Sequence, residues 1–310
     1  MILLRNIISL LAWSVMLVGL IGMASATTLT VHPTDPSADH TKIQYAIDNA
    51  TAGDTIEVWN STYNERVTVN EELTIYARDG AENTIVDGYG SGNVFYVTAD
   101  NVTINNFTVT NGNYGVYLSG ADNCSVTDNE VISNTYYGIY LYSSDNNNLS
   151  NNNASSQTNL WYGAGIYLGS YNDNNTIYNN TANNNRYGIR LNYQNYNNNI
   201  TSNTLNGNNR VGFQFDNANS YYNEIKDNKV NGDYYYHYVK ENGITIQDLS
   251  STASDASNLG WVSIIEGNNI NANNLTLANN DYSGSGLYLY KTSNSTFEAV
   301  NASKNRYGIY

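Results

Sequence analysis

The sequence has few cysteines, prolines and basic residues. It contains one cysteine, Cys124, and two prolines in 310 residues, and its 13 Lys and Arg are outnumbered by 27 Asp and Glu, for a formal net charge of -14. A single cysteine excludes an intrachain disulfide and a cysteine-rich zinc site. The acidic balance excludes nucleic acid as an expected partner, because phosphate recognition depends on clustered Lys and Arg. The chain must therefore be stabilised by a large apolar core.

The first 26 residues have the pattern of a secretory signal peptide. Arg5 supplies positive charge, residues 7–21 form a short apolar run, and Ala24-Ser25-Ala26 offers a cleavage site of small residues. The alternative is an uncleaved membrane anchor. No later apolar run approaches the roughly 20 residues of a membrane-spanning helix. We expect a secreted or cell-surface protein, attached to a membrane only through this segment or through a region beyond residue 310.

Asn, Tyr and Gly are abundant, with 29 Tyr and 24 Gly, and a short motif containing one Gly recurs. The motif occupies residues 114–118, 137–141, 164–168, 187–191, 211–215, 285–289 and 307–310. Ile or Val and then Leu take alternate positions, with Tyr, Arg or Gln between them, which is typical of a strand with one buried face. From position 115 to 138, 165, 188 and 212 the motif glycine advances by 23, 27, 23 and 24 residues.

Short strands at this period, separated by Asn-rich corners, predict an all-β fold, a right-handed parallel β-helix. A leucine-rich repeat and a propeller fit less well, because they need tighter leucine spacing or a period of about 40 or more. Irregular rungs are expected at about residues 231–270. A recurring Asn column is predicted to stack as an amide ladder: Asn106, Asn129, Asn152, Asn180, Asn203 and Asn228.

The two ends of the predicted β-helix, residues 55–310, differ. Residues 27–54 form a cap segment in which Ile43, Ala46, Ile47 and Ala50 share one face of an amphipathic helix. We expect this helix to cover the open edge of the first rung. At the other end, Tyr310 falls within a strand motif. Either the chain is truncated and further rungs follow in a longer parent, or another copy of the chain covers this edge by self-association.

The cap residues 43–56 and 63–67, the Tyr-Gly-Ile-Tyr-Leu repeats and the block at 234–277 resemble the NosD-like β-helix repeat family, in particular cell-surface proteins of methanogenic archaea. The resemblance implies a fold shared with pectate lyases and other carbohydrate-active enzymes. The NosD name also implies copper delivery, but His32, His40, His237 and Cys124 are dispersed in the sequence, which disfavours that role.

Three acidic residues follow successive motif glycines by seven or eight positions: Asp122, Asp145 and Asp173. Stacked carboxylates would suit Ca²⁺, a hard cation that prefers oxygen ligands. The alternative is that they cap corners, since Asn195 and Asn219 have the same phase in later rungs. We find no paired-carboxylate signature and name no catalytic residue, although a polysaccharide lyase or glycoside hydrolase stays the alternative function.

Outward tyrosines in the repeat predict an aromatic ladder that binds carbohydrate: Tyr117, Tyr140, Tyr167 and Tyr288, with Arg190 beside them. The alternative is that Tyr only favours strands. Arg186, Arg190 and Arg210 either form a small positive patch or are solvated neighbours. We therefore expect a non-catalytic surface or envelope protein that binds carbohydrate or envelope components, or that packs in a surface layer. Glycosylation sequons include Asn60, Asn101, Asn106, Asn123, Asn148, Asn153, Asn174, Asn199, Asn274 and Asn294.

Overall fold

The computed structural model describes residues 25–251, 256–280 and 284–310, so the predicted signal peptide lies outside the described residues except for Ser25 and Ala26. The fold is an all-β parallel solenoid with one short α-helix, α1 (Ile43–Asn49), in the described part of the chain. The strands before residue 231 are β1 (Thr28–Val31), β2 (Thr55–Val58), β3 (Ser61–Asn64), β4 (Val67–Val69), β5 (Thr74–Ala77), β6 (Thr84–Asp87), β7 (Asn93–Val97), β8 (Thr103–Asn105), β9 (Thr108–Thr110), β10 (Tyr114–Ser119), β11 (Ser125–Thr127), β12 (Glu130–Ile132), β13 (Tyr137–Tyr142), β14 (Asn148–Ser150), β15 (Ala164–Leu168), β16 (Thr176–Tyr178), β17 (Tyr187–Leu191), β18 (Asn199–Thr201), β19 (Thr204–Leu205), β20 (Val211–Phe215), β21 (Glu224–Lys226) and β22 (Asn228–Val230).

Twenty of these strands form three parallel sheets that run along the solenoid, and the other two, β19 and β22, pair with each other in a fourth sheet. The first sheet has nine strands in the order β1-β2-β5-β8-β11-β14-β16-β18-β21. The second sheet has the order β4-β7-β10-β13-β15-β17-β20 and contains the recurring motif. The third sheet contains β3-β6-β9-β12. Each turn of chain therefore lies on the previous turn, as the repeat period predicts.

The register places equivalent motif positions directly opposite one another. Val116 pairs with Ile139, Ile139 with Ile166, and the column continues through later turns. These side chains point inward and are fully buried. Burying one such aliphatic side chain contributes about 1.5–3 kcal/mol. A Cβ at Gly165 would lie 2.4 Å from the Ala154 carbonyl oxygen, so only Gly fits at this position of the motif.

The predicted amide ladder exists, but it starts one turn later than expected. The side-chain amide of Asn129 donates to the Oδ1 of Asn152 at 3.1 Å, and the same bond links successive turns through Asn180 and Asn203 to Asn228. The inclusion of Asn106 was wrong. The ladder position in its turn is Phe107, whose N–H donates to Asn129 Oδ1, while Asn106 occupies the corner with φ of 67°. Asn tolerates this left-handed conformation better than other non-Gly residues.

Helix α1 lies against β1, β2 and β4. Ile43, Ala46 and Ile47 are buried as the amphipathic pattern predicts, and Ala50 is half-buried against the same core. The Lys42 side chain provides no cap. Instead the carboxylate of Glu65 accepts the N–H groups of Ile43 and Gln44 at 3.0 and 3.1 Å. The start of the helix is thereby fixed to the connection between β3 and β4.

The parallel stacking is interrupted after β22. The later strands are β23 (Asp233–Val239), β24 (Thr245–Gln247), β25 (Ser250–Ser251), β26 (Gly260–Ile265), β27 (Asn271–Leu277), β28 (Ser285–Tyr290), β29 (Thr296–Asn301) and β30 (Tyr307–Ile309). Within the described chain, β22 and β23 are the one antiparallel pair, joined by Asn231 and Gly232 with φ of 50° and 96°. Asn-Gly with two positive φ values is the preferred two-residue hairpin turn. This hairpin falls within residues 231–270, where irregular rungs are expected, and beyond it β23, β26, β28 and β30 again stack in parallel.

Candidate functional site

The predicted tyrosine ladder lies on the outer face of the second sheet. Tyr117, Tyr140 and Tyr167 are directly opposite one another in the register, and Tyr96 extends the column by one turn. The ring centroids of Tyr117 and Tyr140 are 4.5 Å apart with an interplanar angle of 6°, and those of Tyr140 and Tyr167 are 5.1 Å apart. We call these four residues the tyrosine ladder. The rings of Tyr117, Tyr140 and Tyr167 stack within 21° of parallel, the ring of Tyr96 is tilted by 32° from that of Tyr117, and Tyr167 at the end of the ladder is only 8% exposed.

A second aromatic column runs beside the tyrosine ladder. The rings of Tyr114 and Tyr137 stack at 5.2 Å, and both rings meet the edge of Tyr140. In the turn after Tyr137 this column position is taken by Ala164, and in the following turn it is taken by Tyr187. Burial raises the pKa of the Tyr137 and Tyr140 hydroxyls, so they remain neutral and able to donate hydrogen bonds at ordinary pH. The two columns together form a surface wider than a single side chain.

Arg190 takes the ladder position after Tyr167. Its guanidinium lies 5.1 Å from the centre of the Tyr167 ring and 5.2 Å from that of Tyr187. The Nε of Arg190 bonds to the Asp216 carboxylate at 2.9 Å, and both side chains are about four-fifths buried. Burial acts to lower the pKa of Arg190, but the charge and hydrogen bond of Asp216 together with the nearby tyrosines outweigh it, and the pKa is raised. The charge of Arg190 is therefore locally compensated.

Arg186 and Arg210 lie at the same end, around the buried ring of Tyr187. Their guanidinium carbons are 5.3 and 5.7 Å from the ring centre. Arg186 donates from Nη1 to the carbonyl of Leu160 at 2.6 Å, and Arg210 donates from Nη1 to the Tyr187 hydroxyl at 3.0 Å. The structure thus brings Arg186, Arg190 and Arg210, which are close in the repeat register, together as one patch. Neither Arg186 nor Arg210 forms an ion pair within the described residues.

An exposed aromatic loop adjoins this patch, and the motif analysis did not identify it. Leu160, Trp161 and Tyr162 precede β15 and are 67%, 73% and 59% exposed. The Arg186 guanidinium lies 5.9 Å from the centre of the Trp161 ring. The loop accounts for the long motif spacing of 27 residues between positions 138 and 165. In the sequence, this exposed loop is indicated by the long spacing together with three consecutive apolar residues in a polar region.

Tyr288 does not join the tyrosine ladder. It lies on β28, in register with Ser263 of β26, and its ring stacks on Tyr310 at 5.6 Å. The edge of Tyr221, from a short 3₁₀ helix (Ala218–Tyr221), also contacts it. The motif around Tyr288 matches the earlier motifs locally, but the hairpin after β22 separates its sheet from the second sheet.

The three corner aspartates do stack in successive turns. The Oδ1 of Asp122 accepts the N–H of Asp145 at 2.7 Å, and the Oδ1 of Asp145 accepts the N–H of Asp173 at 2.7 Å. Burial, followed by the charges of its two neighbours, raises the pKa of Asp145. The next position in this column is Tyr196, so the alignment of Asn195 with it was wrong by one residue. The Ca²⁺ site at this corner stays a prediction.

The residues that the sequence suggested for copper lie in separate environments. Cys124 is buried beside β11, and His32 accepts the N–H of Asp35 through Nδ1 at 2.8 Å. His237 is buried, with Nε2 2.8 Å from the Tyr221 carbonyl and Nδ1 2.6 Å from the Ser263 hydroxyl. Burial lowers the pKa of His237 to about 4. In the described part of the chain, no three His, Cys, Asp or Glu residues are grouped as metal ligands would be.

A cleft of about 500 Å³ opens where β21 approaches β23, and its lining includes Glu224, Lys226 and Glu241. Tyr222 lies between this cleft and a neighbouring one that contains Lys240 and Glu266. The hydroxyl of Tyr222 donates to Glu266 at 2.8 Å. This region therefore combines carboxylates, ammonium groups and an aromatic ring away from the tyrosine ladder.

Comparison with known proteins gives a family match, one partial relative and several similar folds. The family model for the right-handed beta helix region matches residues 92–258. The cell surface glycoprotein of Methanothermus fervidus is 30% identical over 125 residues, which are 40% of this chain and 20% of that protein. The chain thus matches only about a fifth of the length of that relative.

Two solved structures are similar to this chain over most of its length. Alginate lyase from Paenibacillus sp. str. FPU-7 has a TM-score of 0.57 at 18% identity and covers 89% of this chain and 99% of its own. Pectate lyase Pel9A has a TM-score of 0.54 at 14% identity and covers 89% of this chain and 79% of its own. At these identities the likeness is one of fold alone. No helix within the described residues is both long enough and apolar enough to cross a membrane.

Proposed function

Because the chain belongs to the right-handed β-helix family, whose scaffold serves many activities, we propose that it is a non-catalytic cell-surface protein that binds carbohydrate on its second sheet. The partial match to a cell surface glycoprotein supports the surface role. The observation that carries the proposal is the tyrosine ladder with its neighbouring column. The proposed surface comprises Tyr117, Tyr140, Tyr167 and Arg190 and leaves out Tyr288, which lies on another sheet.

A row of stacked tyrosines suits a glycan chain for two reasons. Sugar rings have apolar C–H faces that pack on aromatic rings, and sugar hydroxyls need hydrogen-bond partners such as phenol hydroxyls and side-chain amides. The tyrosine ladder repeats at the strand spacing of about 4.8 Å, close to the length of one sugar residue in a chain. Asn192 beside the ladder already donates its amide to the Tyr167 hydroxyl at 3.0 Å. The binding energy would come from several weak, repeated contacts.

The sequons lie away from the proposed surface. None of them falls on a strand of the second sheet and none is buried: Asn49, Asn60, Asn101, Asn106, Asn123, Asn148, Asn153, Asn174, Asn179, Asn199, Asn274, Asn294 and Asn301. Glycans attached at these positions would cover the first sheet and the corners. The second sheet would remain accessible to an external ligand.

A glycan array with the secreted chain, followed by titration calorimetry on the best ligand, tests the proposal. Tyr140→Ala and Tyr167→Ala should each weaken binding about tenfold, the loss of roughly 1.4 kcal/mol expected for one aromatic contact. Tyr178→Ala is the matched control, because Tyr178 is an exposed tyrosine on the first sheet. Binding that is unchanged in both ladder variants, or the absence of any glycan ligand, would refute the proposal.

Polysaccharide cleavage is the second candidate. The cleft beside β21 and β23 contains Glu224, Lys226 and Glu241, which are residue types that can act as acid or base. Two structurally similar proteins are named as lyases. Incubation with alginate or polygalacturonate and Ca²⁺ tests this directly. Unsaturated products absorbing in the ultraviolet, abolished by Lys226→Ala but not by Tyr140→Ala, would favour cleavage over simple binding.

Three finer expectations complete the proposal. We propose that residues 1–26 direct export, that α1 caps the first turn, and that the chain is of the NosD-like type. The buried contacts of Ile43 and Ile47 with the first turn support the capping role. The absence of a grouped donor set in the described chain gives copper handling no support, so it is not part of the proposal.

A further inference from the structure

Within the described residues, Arg186 and Arg210 are positive groups without a carboxylate partner. The ion pairs of the described chain involve other residues, and Asp216 is already paired with Arg190. The Nε atoms of Arg186 and Arg210 are buried and have no hydrogen-bond acceptor within the described structure. In a chain of net charge -14 with only 13 basic residues, two adjacent uncompensated arginines are a marked local exception.

The two guanidinium groups are held in fixed positions rather than extended into solvent. Both lie against the Tyr187 ring, and each uses one Nη1 to bond to the protein, at the Leu160 carbonyl and the Tyr187 hydroxyl. Consecutive turns place them one above the other, since the N–H of Arg210 donates to the carbonyl of Arg186 at 3.0 Å. Guanidinium groups fixed in this way are suited to bind an oxyanion through their remaining N–H groups.

The arginines connect two aromatic areas. On one side Arg186 lies against the exposed Trp161 ring, and on the other the patch continues through Arg190 to Tyr167 and the rest of the tyrosine ladder. A sugar placed on Trp161 or on the end of the ladder would therefore hold its substituents next to Arg186 and Arg210. A neutral sugar would leave both positive charges unpaired.

From this arrangement we infer that the ligand of the proposed carbohydrate surface is an anionic glycan, whose carboxylate or sulfate binds between Arg186 and Arg210. The inference rests on the proposed carbohydrate binding and narrows it to one chemical class. Trp161 contacts the sugar ring, the two arginines bind its charged group, and the tyrosine ladder supports the neighbouring sugar residues. Charge complementarity makes the binding dependent on salt.

Matched pairs of probes test the inference. Oligogalacturonate is compared with its fully methyl-esterified form, and dextran sulfate with dextran, each titrated into the purified chain at low and at physiological salt. The acidic member of at least one pair should bind at least tenfold more tightly than its neutral counterpart. Preference for oligogalacturonate identifies a carboxylate ligand, and preference for dextran sulfate identifies a sulfate ligand.

The variant Arg186→Gln/Arg210→Gln should reduce affinity for the acidic probe at least tenfold and leave affinity for its neutral counterpart within twofold. Arg306→Gln is the control, because Arg306 is exposed and also lies over a tyrosine, at 5.4 Å from the Tyr307 ring centre. Arg186→Lys/Arg210→Lys keeps the charge and should retain most of the salt-dependent part of the affinity. Circular dichroism and thermal unfolding establish that each variant is folded.

The outcomes separate the inference from the proposed function. Equal binding of neutral and acidic probes, with no effect of Arg186→Gln/Arg210→Gln, overturns the inference and leaves carbohydrate binding standing. An equal loss of affinity for the acidic probe in Arg306→Gln also overturns the inference, because the attraction would then depend on the overall charge of the chain. Failure of every neutral and acidic probe to bind overturns the proposed function and, with it, the inference.

Discussion

Asn180, at the centre of the amide ladder, makes four side-chain hydrogen bonds in a site that is 1% exposed. Its amide donates to the Leu149 carbonyl at 2.8 Å and to Asn203 Oδ1 at 3.1 Å. Its Oδ1 accepts from the backbone N–H and the side-chain amide of Asn152 at 2.9 and 3.0 Å. We predict that Asn180→Ala destabilises the chain by about 4 kcal/mol. One orphaned buried N–H, that of Asn152, costs about 1–3 kcal/mol, and the other lost bonds contribute about 1 kcal/mol each or less.

Guanidinium unfolding followed by circular dichroism measures the loss. Asn209→Ala is the control, because Asn209 is exposed and should change stability by no more than about 0.5 kcal/mol. Asn180→Asp keeps the volume but removes both donors, so it should also destabilise the fold at neutral pH. Burial raises the pKa of such a carboxyl, and its protonated form can donate a hydrogen bond again. The loss of stability of Asn180→Asp relative to the wild type should therefore become smaller on acidification. Equal stability of Asn180→Ala and Asn209→Ala would refute the reasoning.

Two further predictions concern buried titratable groups. The pKa of His237 is lowered to about 4 in the folded chain from an unfolded value of 6.5. The stability that neutral His237 supports is therefore present above pH 6.5 and is lost as the pH falls toward 4, by about 3 kcal/mol in total. The stabilities of wild type and His237→Gln, measured by thermal unfolding across this range, should converge at low pH, and parallel curves would contradict the assignment. Burial raises the pKa of the Cys124 thiol to about 11. Iodoacetamide at pH 8 should therefore label Cys124 only after denaturation, as measured by mass spectrometry. Rapid labelling of the folded chain would contradict the burial of this thiol.

The sequence predicted the repeating part of the fold because one pattern determines both the strand and its neighbour. Alternating apolar residues in Tyr137-Gly138-Ile139-Tyr140-Leu141 indicate a strand, and recurrence at a constant period identifies the strand that pairs with it. Tyr117, Tyr140 and Tyr167 therefore came together as expected. The same reasoning failed for Tyr288, whose motif is equally good, because its partners depend on a hairpin at Asn231 that lies well outside the motif.

The arginine patch was only partly predictable. The register indicated that Arg186, Arg190 and Arg210 lie close together, since they occupy neighbouring turns. It did not indicate that Arg190 is paired with Asp216 while the other two are not. That distinction depends on side-chain directions beyond the strands. The position of Trp161 likewise depends on how an inserted loop folds back onto the next turn.

The amide ladder also determines how this protein can change in length. Every ladder amide donates in the same chain direction, from Asn129 toward Asn228, so each turn presents one acceptor to its predecessor and one donor to its successor. The ladder steps of 23, 28, 23 and 25 residues show that the chain between two ladder positions varies freely. A whole turn is therefore an interchangeable module. Duplicating or deleting one complete turn restores the same contacts at the junction, whereas a deletion that removes a ladder Asn without the rest of its turn interrupts the ladder at that point.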